Sequence, residues 1–225
     1  MLIAAAQTKP VKQDIDANIS KHLQLIEDAA IQGAEVIVFP EMSLTGYERE
    51  AAADMVFSED DARMDVFRKA AVKHGMVIIT GAPVAIVGLL CIGAFICLPD
   101  GTMPGYTKQF LHAGEEVFFA PGNVHNPLII HNEQRISIAI CADITHPEHA
   151  AKAARLGSTL YVAGIFYTPS GIDDGLGILG KYAEEHNMQV LMANYGGPSY
   201  KFDAGGESAF WKSNGQLTAI SEVSL

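Results

Sequence analysis

The sequence is poor in cysteine and tryptophan and has few basic residues. Its 225 residues include 3 Cys and 1 Trp, and 15 Lys or Arg stand against 26 Asp or Glu, for a formal net charge of −11. Three cysteines, an odd number in a chain of this size, argue against a disulfide framework and for a reducing compartment. The lack of a basic surplus argues against nucleic acid and anionic membrane surfaces as partners, because cations are needed to neutralise phosphates.

A basic leader is missing as well. The opening stretch, MLIAAAQTKP, has no positively charged start, and its apolar run is too short for a signal peptide. A cytoplasmic location is therefore expected. The chain is 49% hydrophobic and long enough to bury one substantial core, so a single domain over residues 1–225 is the simplest organisation.

Charge is absent from residues 75–99, GMVIITGAPVAIVGLLCIGAFICLP. The stretch is long enough to span a bilayer, but it contains several glycines and an internal proline, Pro83, and neither edge carries Trp or Tyr. Its β-branched residues favour two buried strands, near 76–84 and 90–98, joined at Val87-Gly88. We therefore predict a hairpin here and no membrane segment.

Strand and helix patterns alternate along the rest of the chain. Thr145-His146-Pro147-Glu148 matches a Thr-x-x-Glu capping box, which predicts the start of a helix. The alternation predicts an α/β domain with mixed strand pairing. The remaining predicted strands lie near 2–6, 36–39, 128–130, 136–140, 159–163 and 189–193, with a closing hairpin around Asn214-Gly215. The predicted helices cover 15–33, 61–74, 146–156 and 174–187.

Three apolar strands lead to residues that can take part in a reaction, namely Glu41, Lys108 and Cys141. We predict that Cys141 is the last residue of its strand. A thiol needs a base to become a nucleophile, and a carboxylate in apolar surroundings can take its proton. An ammonium can hold the oxyanion that forms when a carbonyl is attacked. Each residue alone also has a structural explanation: Glu41 as a helix cap, Lys108 as a solvated charge, and Cys141 as a core residue.

The motifs around these residues resemble those of the nitrilase, or carbon-nitrogen hydrolase, superfamily. VIVFPEMSLTGY is similar to its glutamate motif, PDGTMPGYTKQFLHAGEEVFFAPG to its lysine motif, and ISIAICADITHPEHAAKAARLGSTL to its cysteine motif. Weaker matches follow in AEEHNMQVLMANYGG and GGESAFWKSNGQ. The resemblance implies a four-layer αββα sandwich of the nitrilase type with mixed sheets.

The resemblance also implies a catalytic Glu-Lys-Cys triad on Glu41, Lys108 and Cys141. It implies a second catalytic acid that orients the lysine and is available to relay protons, with Glu115 in the better register and Glu116 as the alternative. The backbone N–H of Ala142 would be a further oxyanion donor. Pocket residues are expected to include Tyr47, Phe166 and Tyr167, although simple packing explains these three equally well.

The implied function is thiol-dependent hydrolysis of a small amide or N-carbamoyl compound through a cysteine thioester, without a metal or an organic cofactor. A homodimer or higher homo-oligomer is expected, because members of the superfamily usually associate. Nitrile hydrolysis and acyl transfer are alternatives within the family. A non-catalytic member that binds a ligand or a partner is the alternative from another functional class.

Several further signals have weaker interpretations. GLGILG at 175–180, with Asp203 downstream, matches a dinucleotide fingerprint, but it does not directly follow a strand, so helix packing is the better explanation. His146 and His149 with Cys141 lack a known zinc spacing. The other predictions are that Cys91 and Cys97 are core residues and that Asp143 fixes the turn after the nucleophile, whereas the role of His112 stays open.

Overall fold

Two β-sheets form the centre of the fold, as a computed structural model describing residues 1–122 and 126–221 shows. The first three described strands of the first sheet are parallel, and the other two join antiparallel. The sheet is therefore mixed, as the sequence predicts. Its strands lie in the order β1 (Leu2–Ala5), β2 (Ala34–Val38), β3 (Val77–Ile86), β4 (Leu89–Cys97) and β5 (Gly105–Thr107).

The second sheet is built from the later part of the chain. Its described strands, each beside the next in chain order, are β6 (Ile129–His131), β7 (Gln134–Ile140), β8 (Leu160–Gly164), β9 (Gln189–Ala193), β10 (Ala209–Trp211) and β11 (Leu217–Ile220). β7, β8 and β9 are parallel, and the outer pairs are antiparallel. The carboxyl ends of the parallel strands share one edge, which is where α/β proteins commonly carry their functional loops.

Helices cover the outer faces of both sheets. In the described part of the chain they are α1 (Ile15–Ile31), α2 (Asp65–His74), α3 (Pro147–Arg155) and α4 (Ile172–His186). α1 and α2 pack on the first sheet, and α4 packs on the second with α3 beside it. The second predicted helix is shorter than expected, because the chain first makes a separate 3-10 turn at Ala62–Met64.

Side-chain alternation along β2 shows why the layers stack in this way. Val36 and Val38 share a core with Ile138 of the second sheet, whereas Ile37 packs with Ile26 of α1. Successive side chains of a strand point to opposite faces, so one strand serves both the sheet–sheet core and the helix–sheet core. The predicted α/β class and the αββα sandwich are confirmed.

The uncharged stretch forms the predicted hairpin. β3 and β4 pair antiparallel from Ile78 with Cys97 to Ile86 with Leu89. Val87 and Gly88 both have positive φ, of 50° and 79°, as a two-residue type I′ turn requires. None of the helices in residues 1–122 and 126–221 combines the length and the apolar composition that a membrane span requires.

The predicted capping box at Thr145 is wrong. The N-cap of α3 is His146, which makes no side-chain capping bond, and Pro147 is the first helical residue. Thr145 instead ends a 3-10 helix at Cys141–Thr145, where its hydroxyl donates to the carbonyl of Ala142 at 2.8 Å. The hydroxyl thus closes this short turn rather than opening the helix.

Candidate active site

Cys141 begins the 3-10 helix that follows β7. The prediction that Cys141 is the last residue of its strand is wrong, because the strand ends at Ile140. The Cys141 φ of 43° lies in the left-handed region, which is costly for a residue with a side chain and is found where a function fixes the backbone. The side chain is buried. The N–H groups of the first residues in such a helix, including Ala142, have no partner inside the helix.

Glu41 follows β2 in a segment that lies close to two neighbouring strands. A Cβ on Gly164 of β8 would lie 2.7 Å from the carbonyl oxygen of Phe39, and one on Gly81 of β3 would lie 2.5 Å from the nitrogen of Met42. Both positions therefore need glycine for the close approach. The hydroxyl of Tyr195 donates to the Glu41 carbonyl at 2.6 Å, which further fixes this turn.

Lys108 follows β5, and its side chain is completely buried. Its Nζ donates to Oε1 of Glu41 at 2.7 Å and to both carboxylate oxygens of Glu115 at 2.8 Å. Glu115 also accepts hydrogen bonds from the hydroxyl of Tyr47 and the backbone N–H of His112. Glu116 is exposed, and its carboxylate accepts a hydrogen bond from the N–H of Gly114 in its own loop. The acid beside the lysine is therefore Glu115.

Burial and charge determine the proton positions in this cluster. Burial raises the pKa of Glu41 to about 7; Lys108 opposes that shift and Glu115 adds to it. Burial also raises the pKa of the Cys141 thiol, and the charge of Glu41 raises it further. For Lys108, burial favours the neutral amine, but the attraction of Glu41 and Glu115 prevails and raises its pKa. At neutral pH the cluster therefore holds a thiol, an ammonium and a carboxyl group close to its own pKa.

One oxygen of Glu41 is uncommitted. Its Oε2 is buried and accepts no hydrogen bond within the described residues, whereas Oε1 is bonded to Lys108. The carboxyl group also interacts electrostatically with Cys141. An unsatisfied carboxylate oxygen beside a thiol can accept its proton.

Asp143 joins the cysteine loop to the lysine loop. Its Oδ1 accepts from the backbone N–H groups of Gln109 and Phe110, both at 2.9 Å. Its Oδ2 accepts from the hydroxyl of Tyr106 at 2.6 Å and from the N–H of Ile140 at 2.9 Å. These bonds hold the residues that directly adjoin Lys108 and Cys141. Asp143 thus does more than fix the local turn.

The histidines near the site have other partners. His149 lies between the hydroxyls of Tyr106 and Tyr161, at 2.9 and 2.8 Å. His146 stacks on Phe110 with ring centroids 3.8 Å apart. Across residues 1–122 and 126–221, no group of three or more His, Cys, Asp and Glu side chains is arranged to hold a metal ion.

A cavity of about 390 Å³ opens beside Cys141. Its wall contains Tyr47, Phe166 and Tyr167, the three residues predicted from the sequence, together with His112. The volume suits a small molecule. Sequence reasoning missed several other lining residues, among them Arg49, Thr168 and Phe202. Arg49 follows the glutamate motif by two positions, which is a usable signal, whereas nothing in the sequence connects Phe202 to the site.

The GLGILG motif lies inside α4, not in a strand-to-helix loop. A Cβ on Gly175 would lie 2.4 Å from the ring of Tyr167, and one on Gly180 would lie 3.0 Å from the indole nitrogen of Trp211. Gly175 and Gly180 therefore allow close packing on the helix, whereas a Cβ on Gly177 would meet nothing within 4 Å. This is the packing explanation favoured by the sequence, and it leaves no phosphate-binding loop here.

Cys91 and Cys97 lie in the core on β4, as predicted. Burial raises the pKa of both thiols, that of Cys97 to about 12. The structure records no disulfide at these two residues or at Cys141.

Comparison with known proteins identifies the family of this chain. The family model described as carbon-nitrogen hydrolase matches residues 2–222. A nitrilase of Pyrococcus abyssi is 29% identical over 164 residues, which are 69% of this chain and 61% of that protein. The chain therefore matches about three fifths of the length of this relative.

Solved structures share the fold. An amidase from Nesterenkonia sp. superposes with a TM-score of 0.87 at 24% identity, covering 99% of this chain and 86% of that one. Nit3 of Saccharomyces cerevisiae, a member of the nitrilase superfamily, superposes with a TM-score of 0.89 at 18% identity, covering 98% and 85%. Other structures of the Nesterenkonia amidase carry acrylamide, or the acetamide moiety of fluoroacetamide, on its active-site cysteine. The full-length match to the family model shows that the chain belongs to the carbon-nitrogen hydrolase family.

Proposed function

We propose that this protein hydrolyses the C–N bond of a small amide or N-carbamoyl compound, with Glu41, Lys108 and Cys141 as its catalytic residues. The observation that carries the proposal is the buried cluster itself. Lys108 contacts Glu41 and Glu115 at 2.7 and 2.8 Å, and Cys141 lines a cavity of small-molecule size. A carboxyl group with a pKa of about 7 beside a neutral thiol suits general base catalysis.

The first half-reaction forms a thioester. Glu41 takes the thiol proton as the sulfur of Cys141 attacks the carbonyl carbon. Lys108 and the N–H of Ala142 stabilise the resulting oxyanion. Removing one donor of this kind lowers kcat by roughly 10²- to 10³-fold. Glu41 then passes its proton to the leaving nitrogen, the C–N bond breaks, and ammonia or an amine departs.

The second half-reaction releases the acid. Glu41 takes a proton from a water molecule, whose oxygen attacks the thioester carbon at the same oxyanion position. The carbon–sulfur bond breaks, and the proton returns to the sulfur of Cys141. Glu115 holds the lysine throughout, through both of its carboxylate oxygens. In this scheme Glu115 positions Lys108, and the nucleophiles are Cys141 and then water.

Nitrile hydrolysis is the second candidate. It is favoured by the name of the Pyrococcus relative, which is a nitrilase. The same thiol would add to a nitrile carbon, and hydrolysis would then release ammonia and the acid. The amidase adducts of the Nesterenkonia protein favour the amide instead, since they show small amides reaching the cysteine of a similarly folded protein.

We further propose a single domain over residues 1–225, a cytoplasmic location and a homodimer or higher homo-oligomer. Three unpaired thiols support a reducing compartment. The family match over residues 2–222 supports a single functional unit.

Ammonia release across small amides, N-carbamoyl amino acids and nitriles tests the proposed function. The wild-type protein should release ammonia, and Cys141→Ala should lower turnover by at least about 10⁴-fold. Cys91→Ala, which removes a buried thiol away from the cavity, is the matched control and should remain active. Full activity in Cys141→Ala would refute the mechanism. A wild-type protein that binds these compounds without turning them over would instead be a binding member of the family.

A further inference from the structure

Arg49 lies in the wall of the cavity that contains Cys141. Its guanidinium carbon is 4.7 Å from the ring centre of Tyr200 and 5.6 Å from that of Tyr47. On another side it lies against Gly114, where an added Cβ would be 3.3 Å from Nη1. Two aromatic rings and the backbone at Gly114 therefore hold this cation at a defined place.

The guanidinium of Arg49 has no ion-pair partner in the part of the chain that the structure describes. Within residues 1–122 and 126–221, its Nε is also buried without a hydrogen-bond partner. The acids on either side are engaged elsewhere. Glu48 pairs with Lys12 at 3.1 Å, and Glu50 pairs with Lys201 at 3.5 Å. A buried donor without an acceptor is unfavourable, so this guanidinium is suited to an anion.

The cation of the catalytic cluster, Lys108, is already paired with acids. Lys108 has two carboxylates within 2.8 Å. Among the described lining residues, Arg49 is the one Lys or Arg. A protein of net charge −11 repels anions at long range, so an anionic substrate needs a specific cation in the cavity.

We infer that Arg49 binds a carboxylate of the substrate, so that the preferred substrates are small amides whose acyl chain ends in a carboxylate. The inference rests on the proposed amide hydrolysis for the reaction but not for the binding. A guanidinium can hold a carboxylate through two parallel hydrogen bonds. Phe166 and Phe202, which also line the cavity, would contact the methylene groups between the two ends of such a substrate.

Matched substrate pairs test the inference. Succinamate and glutaramate carry an amide and a carboxylate, and butanamide and pentanamide are their neutral counterparts. For the wild-type protein, kcat/KM should be at least about tenfold higher for the acid member of the better pair. Arg49→Met, which keeps a long apolar side chain against Tyr47 and Tyr200, should lower this acid-to-neutral ratio about 10- to 100-fold. The loss should lie mainly in KM, because the carboxylate is remote from the reacting carbon.

Two further variants separate a local contact from a general field effect. Lys201→Gln removes an equal charge beside the same Tyr200 ring, 4.8 Å from its centre but outside the cavity lining, and should leave the ratio within about twofold. Arg49→Lys keeps the charge but loses the planar guanidinium that can donate two parallel hydrogen bonds. It should retain part of the preference for the acid substrate. A wild-type preference for the neutral amides, an unchanged ratio in Arg49→Met, or an equal fall in Lys201→Gln would each overturn the inference.

Calorimetry separates this inference from the proposed function. In the Cys141→Ala background, glutaramate should bind at least about tenfold more weakly once Arg49→Met is added. Arg49-dependent binding without any wild-type turnover would uphold the carboxylate site and refute the hydrolase. Turnover of the neutral amides alone, with no binding of glutaramate to Cys141→Ala, would uphold the hydrolase and refute the carboxylate site.

Discussion

Replacing Asp143 by asparagine changes one atom and one charge at the contact between the cysteine loop and the lysine loop. The carboxylate is fully buried and accepts four hydrogen bonds, from Gln109, Phe110, Tyr106 and Ile140, at 2.6 to 2.9 Å. An amide has one acceptor oxygen and one NH₂ group, so in either orientation the NH₂ must face two of these donors.

The less costly orientation points the NH₂ group at Tyr106 and Ile140. The hydroxyl of Tyr106 can turn to accept, but the N–H of Ile140 cannot and is left without a partner, which costs about 1–3 kcal/mol. The two bonds that remain at Oδ1 lose their charge assistance, and ionised partners make hydrogen bonds roughly twice as strong. The free energy of unfolding should therefore fall by about 3 kcal/mol.

Activity should fall as well, because Ile140 precedes the nucleophile and Gln109 follows Lys108. Misplacing a catalytic group by about 1 Å costs on the order of 10²-fold, so kcat should drop by about that factor with little change in KM. Denaturant unfolding and ammonia release measure the two effects. Asp60→Asn, at an exposed position of a turn, is the control and should change stability by less than about 0.5 kcal/mol. Wild-type stability and kcat in Asp143→Asn would refute the reasoning.

Two other predictions concern Glu41 and the hairpin turn. The base must be deprotonated, and burial raises the pKa of Glu41 to about 7. For a neutral amide, kcat/KM should therefore rise about tenfold per pH unit up to pH 7 and then level off; a profile that is flat from pH 5 would place the base elsewhere. Val87 has a φ of 50° and is 98% exposed, so Val87→Asn should raise the free energy of unfolding by about 1 kcal/mol in a denaturant titration, because asparagine tolerates this conformation and no packing is lost. A lower stability would contradict that account.

Local pattern was sufficient to predict most of the elements. The alternation of Ile136, Ile138 and Ile140 marks β7, and the apolar run before Glu41 marks β2. Periodicity depends only on neighbouring residues and on the face that they bury. Prediction was wrong at Thr145, because its hydroxyl could cap a helix or close a 3-10 turn, and the same four residues are compatible with both.

The order of the three motifs was sufficient to predict the family and the acid, the amine and the thiol. Residue types and apolar flanking strands can be recognised directly in the sequence. Only the packed sheets decided which side chains meet. They place Glu115 rather than its neighbour Glu116 on Lys108 and turn Cys141 into a left-handed conformation. Within the part of the chain that the structure describes, they also leave the Nε of Arg49, in the cavity wall, without a hydrogen-bond partner. Such contacts join residues far apart in sequence and depend on how closely two backbones approach, which no local pattern encodes.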